Sequence, residues 1–413
     1  MAKNAKQPPD LRKRLERELS TLKKVSQYRS LSTPARNESN STTHEPKRKG
    51  LARSSIKADT VIDFTSNDYL GLARNAQLRI RLSTYFRPGI SLSASGSRLL
   101  RGNYLEHEAL ETRFAQFVGA ESSLMFNSGY DANIALLTTL PTRHDTILLD
   151  RFVHASIKEG AHSSLAQKFT FEHNSIESLR SIADRISTDG NIYVVVESIY
   201  SMDGDEAPLI EIAALCEERG YHLIVDEAHA TGVVKRSGRG LVEESGLRTK
   251  VMATVHTCGK ALGAAGALVA CSTVIKEYLI NKSRPFIYTT ALPPAIPWQI
   301  IGALDYLEAR PDLLDQLQRN ADYVRERLTG TLERWQVIIG RSPIVAVVIG
   351  DESETLMAAA FLQESKLDVR ALRPPSVPDG TSRLRIVVHA DHVNHELTRL
   401  CDTMIQAETA CKA

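Results

Sequence analysis

Between Asp10 and Lys24 the residues Leu11, Leu15, Leu19 and Leu22 fall on one helical stripe with charged side chains elsewhere, which predicts an amphipathic helix that packs on another surface. Residues 30–57 have the opposite character: Ser, Thr, Asn, Arg and Lys dominate, large apolar residues are few, and an exposed linker or irregular arm is expected. The globular body starts near Val61. From there helical periods alternate with short apolar runs: helix 106–118, strand 123–126, helix 131–140, strand 146–149, helix 176–186, strand 192–196, helix 209–219 and strand 222–225. Such alternation implies parallel strands joined by right-handed crossovers, an open α/β sheet. Ligands bind at the carboxyl ends of strands in these sheets, so the polar residues that follow each apolar run are where chemistry is expected.

After Trp298 the texture changes. Helix-like 300–307 and 313–328 lead to strand-like 337–339, 344–349 and 384–388, with helical 354–364 between them. The expected organisation is an N-terminal helix and arm over 1–60, a large α/β domain over 61–298 and a smaller α+β domain over 299–413, to which the arm returns. There is no internal repeat.

Composition narrows the class of molecule. The 413 residues, 42% hydrophobic and 24% charged, exclude a collagen-like, disordered or membrane-spanning chain and suggest two or three domains. The formal charge of +2 is too small to hold a nucleic acid by charge alone, and it hides a split: 15 basic and 6 acidic side chains in residues 1–60 leave a mildly acidic body. The five cysteines, Cys216, Cys258, Cys271, Cys401 and Cys411, are odd in number and show no C-x-x-C spacing, so neither a disulfide framework nor a structural zinc site is expected. The best apolar candidate for a membrane span, 261–271, is too short and contains two glycines. Without an apolar signal core, and with Asp10, Glu16 and Glu18 arguing against a transit peptide, the expected location is the cytoplasm.

Several residues after the apolar runs could carry chemistry. Asp226 opens Asp-Glu-Ala-His, which as a nucleotide-hydrolase box would require an upstream phosphate loop; none exists, and Gly259-Lys260 is followed by Ala261. Lys260 lies among glycines and small residues, with Thr257 three positions before it, where its amine could form a Schiff base with a carbonyl. Asn127-Ser128-Gly129-Tyr130-Asp131 falls between a strand and a helix whose first amides could hold a phosphate, though a plain helix cap has the same letters. His154 follows a strand and could stack on an aromatic ring, or be an ordinary surface histidine. Taken in order, a phosphate turn, a histidine, a carboxylate and a lysine are the parts that pyridoxal 5'-phosphate (PLP) requires.

The chain resembles the α-oxoamine synthases, fold-type I PLP enzymes that condense an amino acid with an acyl thioester and release carbon dioxide. The resemblance runs from about Asp10 to Gln406. It includes Ser66-Asn67-Asp68-Tyr69-Leu70-Gly71-Leu72, Gly96-Ser97-Arg98, 107–111, 127–133, His154-Ala155-Ser156, 197–208, 226–232, 257–260 and 287–294. It implies that Lys260 holds the cofactor aldehyde and Asp226 pairs with the pyridine nitrogen, while His229 bonds the phenolic oxygen and His154 stacks on the ring. Ser128, Gly129, Tyr130 and Thr257 are the implied phosphate ligands, and Ser201 is a further cofactor contact. Thr289 and Thr290 match residues that reach the phosphate of a neighbouring subunit, which implies a homodimer with shared sites.

Arg373-Pro374-Pro375-Ser376-Val377-Pro378 is most similar to the branch of the family that joins L-alanine to a pimeloyl thioester in biotin biosynthesis. By that resemblance Arg373 binds the amino acid carboxylate with Asn67 nearby, Ser376 stands where threonine is usual and keeps the hydroxyl, and Arg29 contacts the acyl substrate. Glycine with acetyl-CoA, a 5-aminolevulinate-type reaction, and serine with a long acyl chain remain open as alternatives, as does a non-catalytic relative that only binds. The acyl carrier, coenzyme A or a carrier protein, also remains open; an acidic carrier surface would suit the basic leader, which could equally be a solvated arm.

Overall fold

The computed structural model describes residues 10–24, 28, 31, 61–87, 89–234 and 237–412. They fall into two units, Met1–Val61 and Ile62–Ala413. In the first, α1 (Leu11–Lys24) is the amphipathic helix expected, with Leu11, Leu15, Leu19 and Leu22 all exposed. The expected linker over 30–57 lies outside the described residues apart from Leu31.

The second unit opens with β1 (Ile62–Asp63), α2 (Ala76–Tyr85) and α3 (Leu105–Phe117). A seven-stranded sheet follows, built from β2 (Ser122–Phe126), β3 (Thr146–Asp150), β4 (Gln167–Phe171), β5 (Ile192–Glu197), β6 (His222–Asp226), β7 (Ala253–Thr257) and β8 (Ala267–Cys271). Its crossovers are α4 (Gly129–Thr139), α5 (Ala155–Ser163), α6 (Ile176–Ala183), α7 (Leu209–Arg219) and the short α8 (Leu241–Glu244). Strand order is β2-β8-β7-β6-β5-β3-β4, and only β8 runs against its neighbours. The central runs Thr-Ile-Leu-Leu-Asp and Ile-Tyr-Val-Val-Val-Glu are buried throughout, as a parallel sheet covered on both faces requires. One edge of this sheet therefore collects the carboxyl ends of β2, β3, β5, β6 and β7.

The chain continues through α9 (Thr273–Lys282), α10 (Arg284–Ile287), α11 (Ala295–Ala309) and α12 (Asp312–Thr329) to β9 (Gln336–Val337), β10 (Ile344–Gly350), α13 (Glu352–Glu364), β11 (Leu367–Asp368), β12 (Arg370–Leu372), β13 (Ser382–Val387) and α14 (Asn394–Ala410). Strands β12-β13-β10-β9 form an antiparallel sheet, while β1 pairs in parallel with β11. Val345, Val347, Leu384 and Ile386 share a buried core with Phe64 and with Leu397, Leu400 and Met404 of α14.

The turn after β5 joins the two sheets. Ser342 Oγ donates to Gly204 O at 2.7 Å, Arg385 Nε donates to Ser201 O at 2.7 Å, and Arg383 pairs with Asp203. Close approach also matters between α4 and α5, where a side chain on Gly160 would sit 3.2 Å from the Asn133 carbonyl. The α/β class and its crossovers are as the hydrophobic pattern predicts. Several elements differ from the expected pattern, and α2, β8, α9 and α14 were not expected at all. β4 is mostly exposed at the sheet edge and has no apolar run, α5 is rich in Gly, Ser and His, and the strand expected over 337–339 is the shorter β9.

Candidate active site

Asp226 ends β6, is buried, and has both carboxylate oxygens engaged. Oδ2 accepts from Asn133 Nδ2 at 2.7 Å and Oδ1 from the Ala228 amide at 2.9 Å. The Asn133 amide also donates to Ser156 Oγ at 3.0 Å, and that hydroxyl lies 2.8 Å from His154 Nδ1. Asp226 and His154, which end different strand-to-helix connections, are thus tied through two helices into one chain of hydrogen bonds. His154 is itself the N-cap of α5, accepting from the Ser156 amide at 3.2 Å.

Lys260 follows β7. Burial lowers the pKa of its amine, the Asp226 and Glu197 carboxylates pull it back up, and Arg385 lowers it further. Glu197 ends β5 directly beside Asp226 in the register, and its Oε1 is buried without a hydrogen-bond partner. Burial and the Asp226 charge push the Glu197 carboxyl up to about 8, against the opposing pull of Lys260 and the amides of His154 and Ser201. The pocket is therefore one in which a buried amine loses its proton more easily than in water.

At the end of β2, Ser128 caps α4 by accepting from the Asp131 amide at 3.1 Å. Gly129 begins the helix, and a Cβ there would lie 2.4 Å from Thr257 Cγ2, so the first turn of α4 and the end of β7 are as close as a glycine allows. Open amides and the positive end of the helix dipole face the same strand ends, an arrangement suited to phosphate. Tyr130 is exposed beside them, and Asn127 Nδ2 donates to Thr289 Oγ1 and to Thr290 O, each at 2.9 Å. A buried carboxylate, an amine of lowered pKa and this cradle together fit an aldehyde-bearing aromatic phosphate.

The family model for class I and II aminotransferases matches residues 59–404. The chain belongs to that family. It is 37% identical over 337 residues to the 8-amino-7-oxononanoate synthase of Lysinibacillus sphaericus, covering 81% of this chain and 85% of that one. Among solved structures, a serine palmitoyltransferase from S. paucimobilis with PLP and myriocin bound superposes with a TM-score of 0.84 at 26% identity, covering 98% and 99% of the two chains. The 8-amino-7-oxononanoate synthase of Francisella tularensis gives 0.72 at 28% identity, over 86% and 100%. The α-oxoamine synthase resemblance and the fold-type I architecture are both borne out.

On this aminotransferase scaffold the remaining expected residues divide. Ser201 is buried in the turn after β5, and His229 follows Asp226 with its Nδ1 2.6 Å from the Tyr69 hydroxyl. Asn67 Oδ1 accepts from Arg385 Nη2 at 3.0 Å. Arg373, just after β12, donates to Glu352 Oε1 at 2.6 Å, and Ser376 is exposed in the turn that follows. Arg29 lies outside the described residues. Five residues of the cluster have no role assigned from the sequence: Asn133, Ser156, Glu197, Tyr69 and Arg385. The first four stand inside the quoted motifs, whereas Arg385 stands in none; its one signal is an arginine at the centre of a strand that is otherwise half apolar, Ser-Arg-Leu-Arg-Ile-Val.

Proposed function

We propose that this protein carries out the PLP-dependent, decarboxylative condensation of L-alanine with a pimeloyl thioester, giving 8-amino-7-oxononanoate, carbon dioxide and the free thiol. The observation that carries this reading is the Lys260 amine, of lowered pKa, set against the Asp226 and Glu197 carboxylates at one sheet edge, in a chain 37% identical to an 8-amino-7-oxononanoate synthase. PLP supplies an aldehyde that takes up the amino acid and an electron sink for the negative charge that develops at its Cα. Lys260 is the residue that holds the aldehyde and then removes the Cα proton as general base, for which a lowered pKa is the useful direction.

Asp226, fixed by Asn133 and the Ala228 amide, would present its carboxylate to the pyridine nitrogen. His154 would cover the ring, His229 would meet the phenolic oxygen and Ser201 would add a further contact, while Ser128, Gly129, Tyr130 and Thr257 would receive the phosphate. For the substrate carboxylate we place Arg385 first, since it already reaches Asn67 and its charge is felt at Lys260. Arg373, Ser376 and Arg29 are proposed as outer substrate contacts.

Thr289 and Thr290 are proposed to reach a partner subunit's phosphate in a homodimer, which is supported by the exposed Leu92, Leu99, Leu100 and Leu105. We read the second unit as a large cofactor domain up to residue 298 and a smaller domain after it. The five unpaired cysteines support a cytoplasmic location, and among the described residues no helix is long and apolar enough to cross a membrane.

The structural likeness to serine palmitoyltransferase, at a TM-score of 0.84, favours serine with a long acyl chain as the second reading. Product formation from paired amino acids and thioesters separates the two. Release of carbon dioxide and 8-amino-7-oxononanoate from alanine supports the first, and turnover of serine with palmitoyl-CoA supports the second.

A further inference from the structure

The Tyr69 hydroxyl and His229 Nδ1 lie 2.6 Å apart, both side chains are buried, and the rings meet edge-on at 6.2 Å. One proton lies between the two atoms: either the phenol donates to Nδ1, or Nδ1–H donates to the phenol oxygen. The surroundings decide which. The other acceptor near the hydroxyl, Asn67 Oδ1, is 3.3 Å away, beyond the usual range of an O–H···O bond, and it already accepts from Arg385 Nη2 at 3.0 Å.

Arg385, which can only donate, thus holds the one alternative acceptor and leaves it less free for the phenol. Were Nδ1 to donate instead, the phenol's own proton would be left with only the long contact to Asn67. The phenol keeps its proton, because burial pushes its pKa up to about 12. The histidine stays neutral: burial first, then the charges of Lys260, Arg385 and His154, hold its pKa well below the ordinary value.

We infer that Tyr69 is a positioning residue which, by donating to Nδ1, fixes His229 as the tautomer protonated on Nε2. The ring then offers an N–H, rather than a lone pair, to a ligand oxygen. On the functional reading above, from which the identity of that oxygen follows, it is the phenolic oxygen of PLP. The other tautomer would set a nitrogen lone pair against that oxygen.

The test uses the full-length, cofactor-loaded protein labelled with 15N in the histidine rings. Long-range proton–nitrogen correlations read the tautomer, with the His229 signals assigned by their loss in His229→Gln. The inference expects Nδ1 unprotonated and Nε2 protonated in the wild type, and a mixture of tautomers in Tyr69→Phe with kcat lowered about two- to tenfold, the scale of one hydrogen bond. A wild-type His229 protonated on Nδ1, or a Tyr69→Phe protein with the Nε2–H form still fully populated, overturns it. The wild-type spectrum is decisive even if the variant folds poorly. Because the tautomer is read on the ring nitrogens themselves, a failure to make product counts against the functional reading and not against this inference.

Discussion

A methyl group on Gly129 would lie 2.4 Å from Thr257 Cγ2, so Gly129→Ala forces an overlap of the kind that costs about 1–3 kcal/mol. The variant is expected to lose PLP on dialysis faster than the wild type. Adding Thr257→Ser, which removes Cγ2 and keeps the hydroxyl, is expected to restore retention, read by cofactor absorbance; equal retention in wild type and Gly129→Ala would refute the cradle. Borohydride reduction should fix the mass of the cofactor on the peptide that contains Lys260 and on no peptide of Lys260→Ala. Lys260, Asp226 and His154 are legible in the sequence because each follows a strand-forming run, and sheet topology alone carries such positions to one edge. Arg385 is not, because it comes from another sheet and meets Asn67 across 318 residues.

The turn after β5 shows how an element is held in place. His173 joins Asp150, at the end of β3, to Asp205 in that turn, with Nδ1 2.9 Å from Asp150 Oδ1 and Nε2 2.8 Å from Asp205 Oδ2. Burial alone would lower its pKa, but the two carboxylates raise it to about 9; the rings of Phe152 and Tyr200 pack against it. The folded pKa lies above the ordinary value of 6.5, so the stabilisation is full below pH 6.5 and is lost as pH rises through about 9. The denaturation midpoint should therefore fall between pH 6.5 and 9 in the wild type and change less over that window in His173→Gln; parallel pH profiles would contradict the clamp. At this scale the buried strands β3, β5 and β6 could be read from their apolar runs. β4 could not, since its exposed edge position asks for no apolar run. Helix α14 was not expected either, although it carries a buried stripe of Leu397, Leu400, Cys401, Met404 and Ala407 at helical spacing, because intervening polar residues dilute the pattern.

For the whole molecule, the formal charge of +2 says little about function, because the basic side chains concentrate in residues 1–60 while every proposed PLP ligand lies in the acidic body. The exposed leucines between α2 and β2 are expected to be covered by a second copy of the chain, since a monomer rarely leaves such a patch open. Sedimentation should give a dimer, and a charged replacement such as Leu100→Glu should shift it toward monomer; a monomeric wild type that still turns over would contradict shared sites. The family and fold follow from the ordered motifs, whereas the proposed substrate contacts include side chains such as Arg385 that come from the second sheet and carry no motif of their own. The most direct test of the central claim is mass spectrometry of the products formed when alanine, glycine and serine are each combined with pimeloyl-, acetyl- and palmitoyl-CoA. The account predicts 8-amino-7-oxononanoate from alanine with the pimeloyl thioester as the dominant product. Turnover confined to serine with the palmitoyl thioester, or no product from any pair in protein that retains PLP, would contradict it.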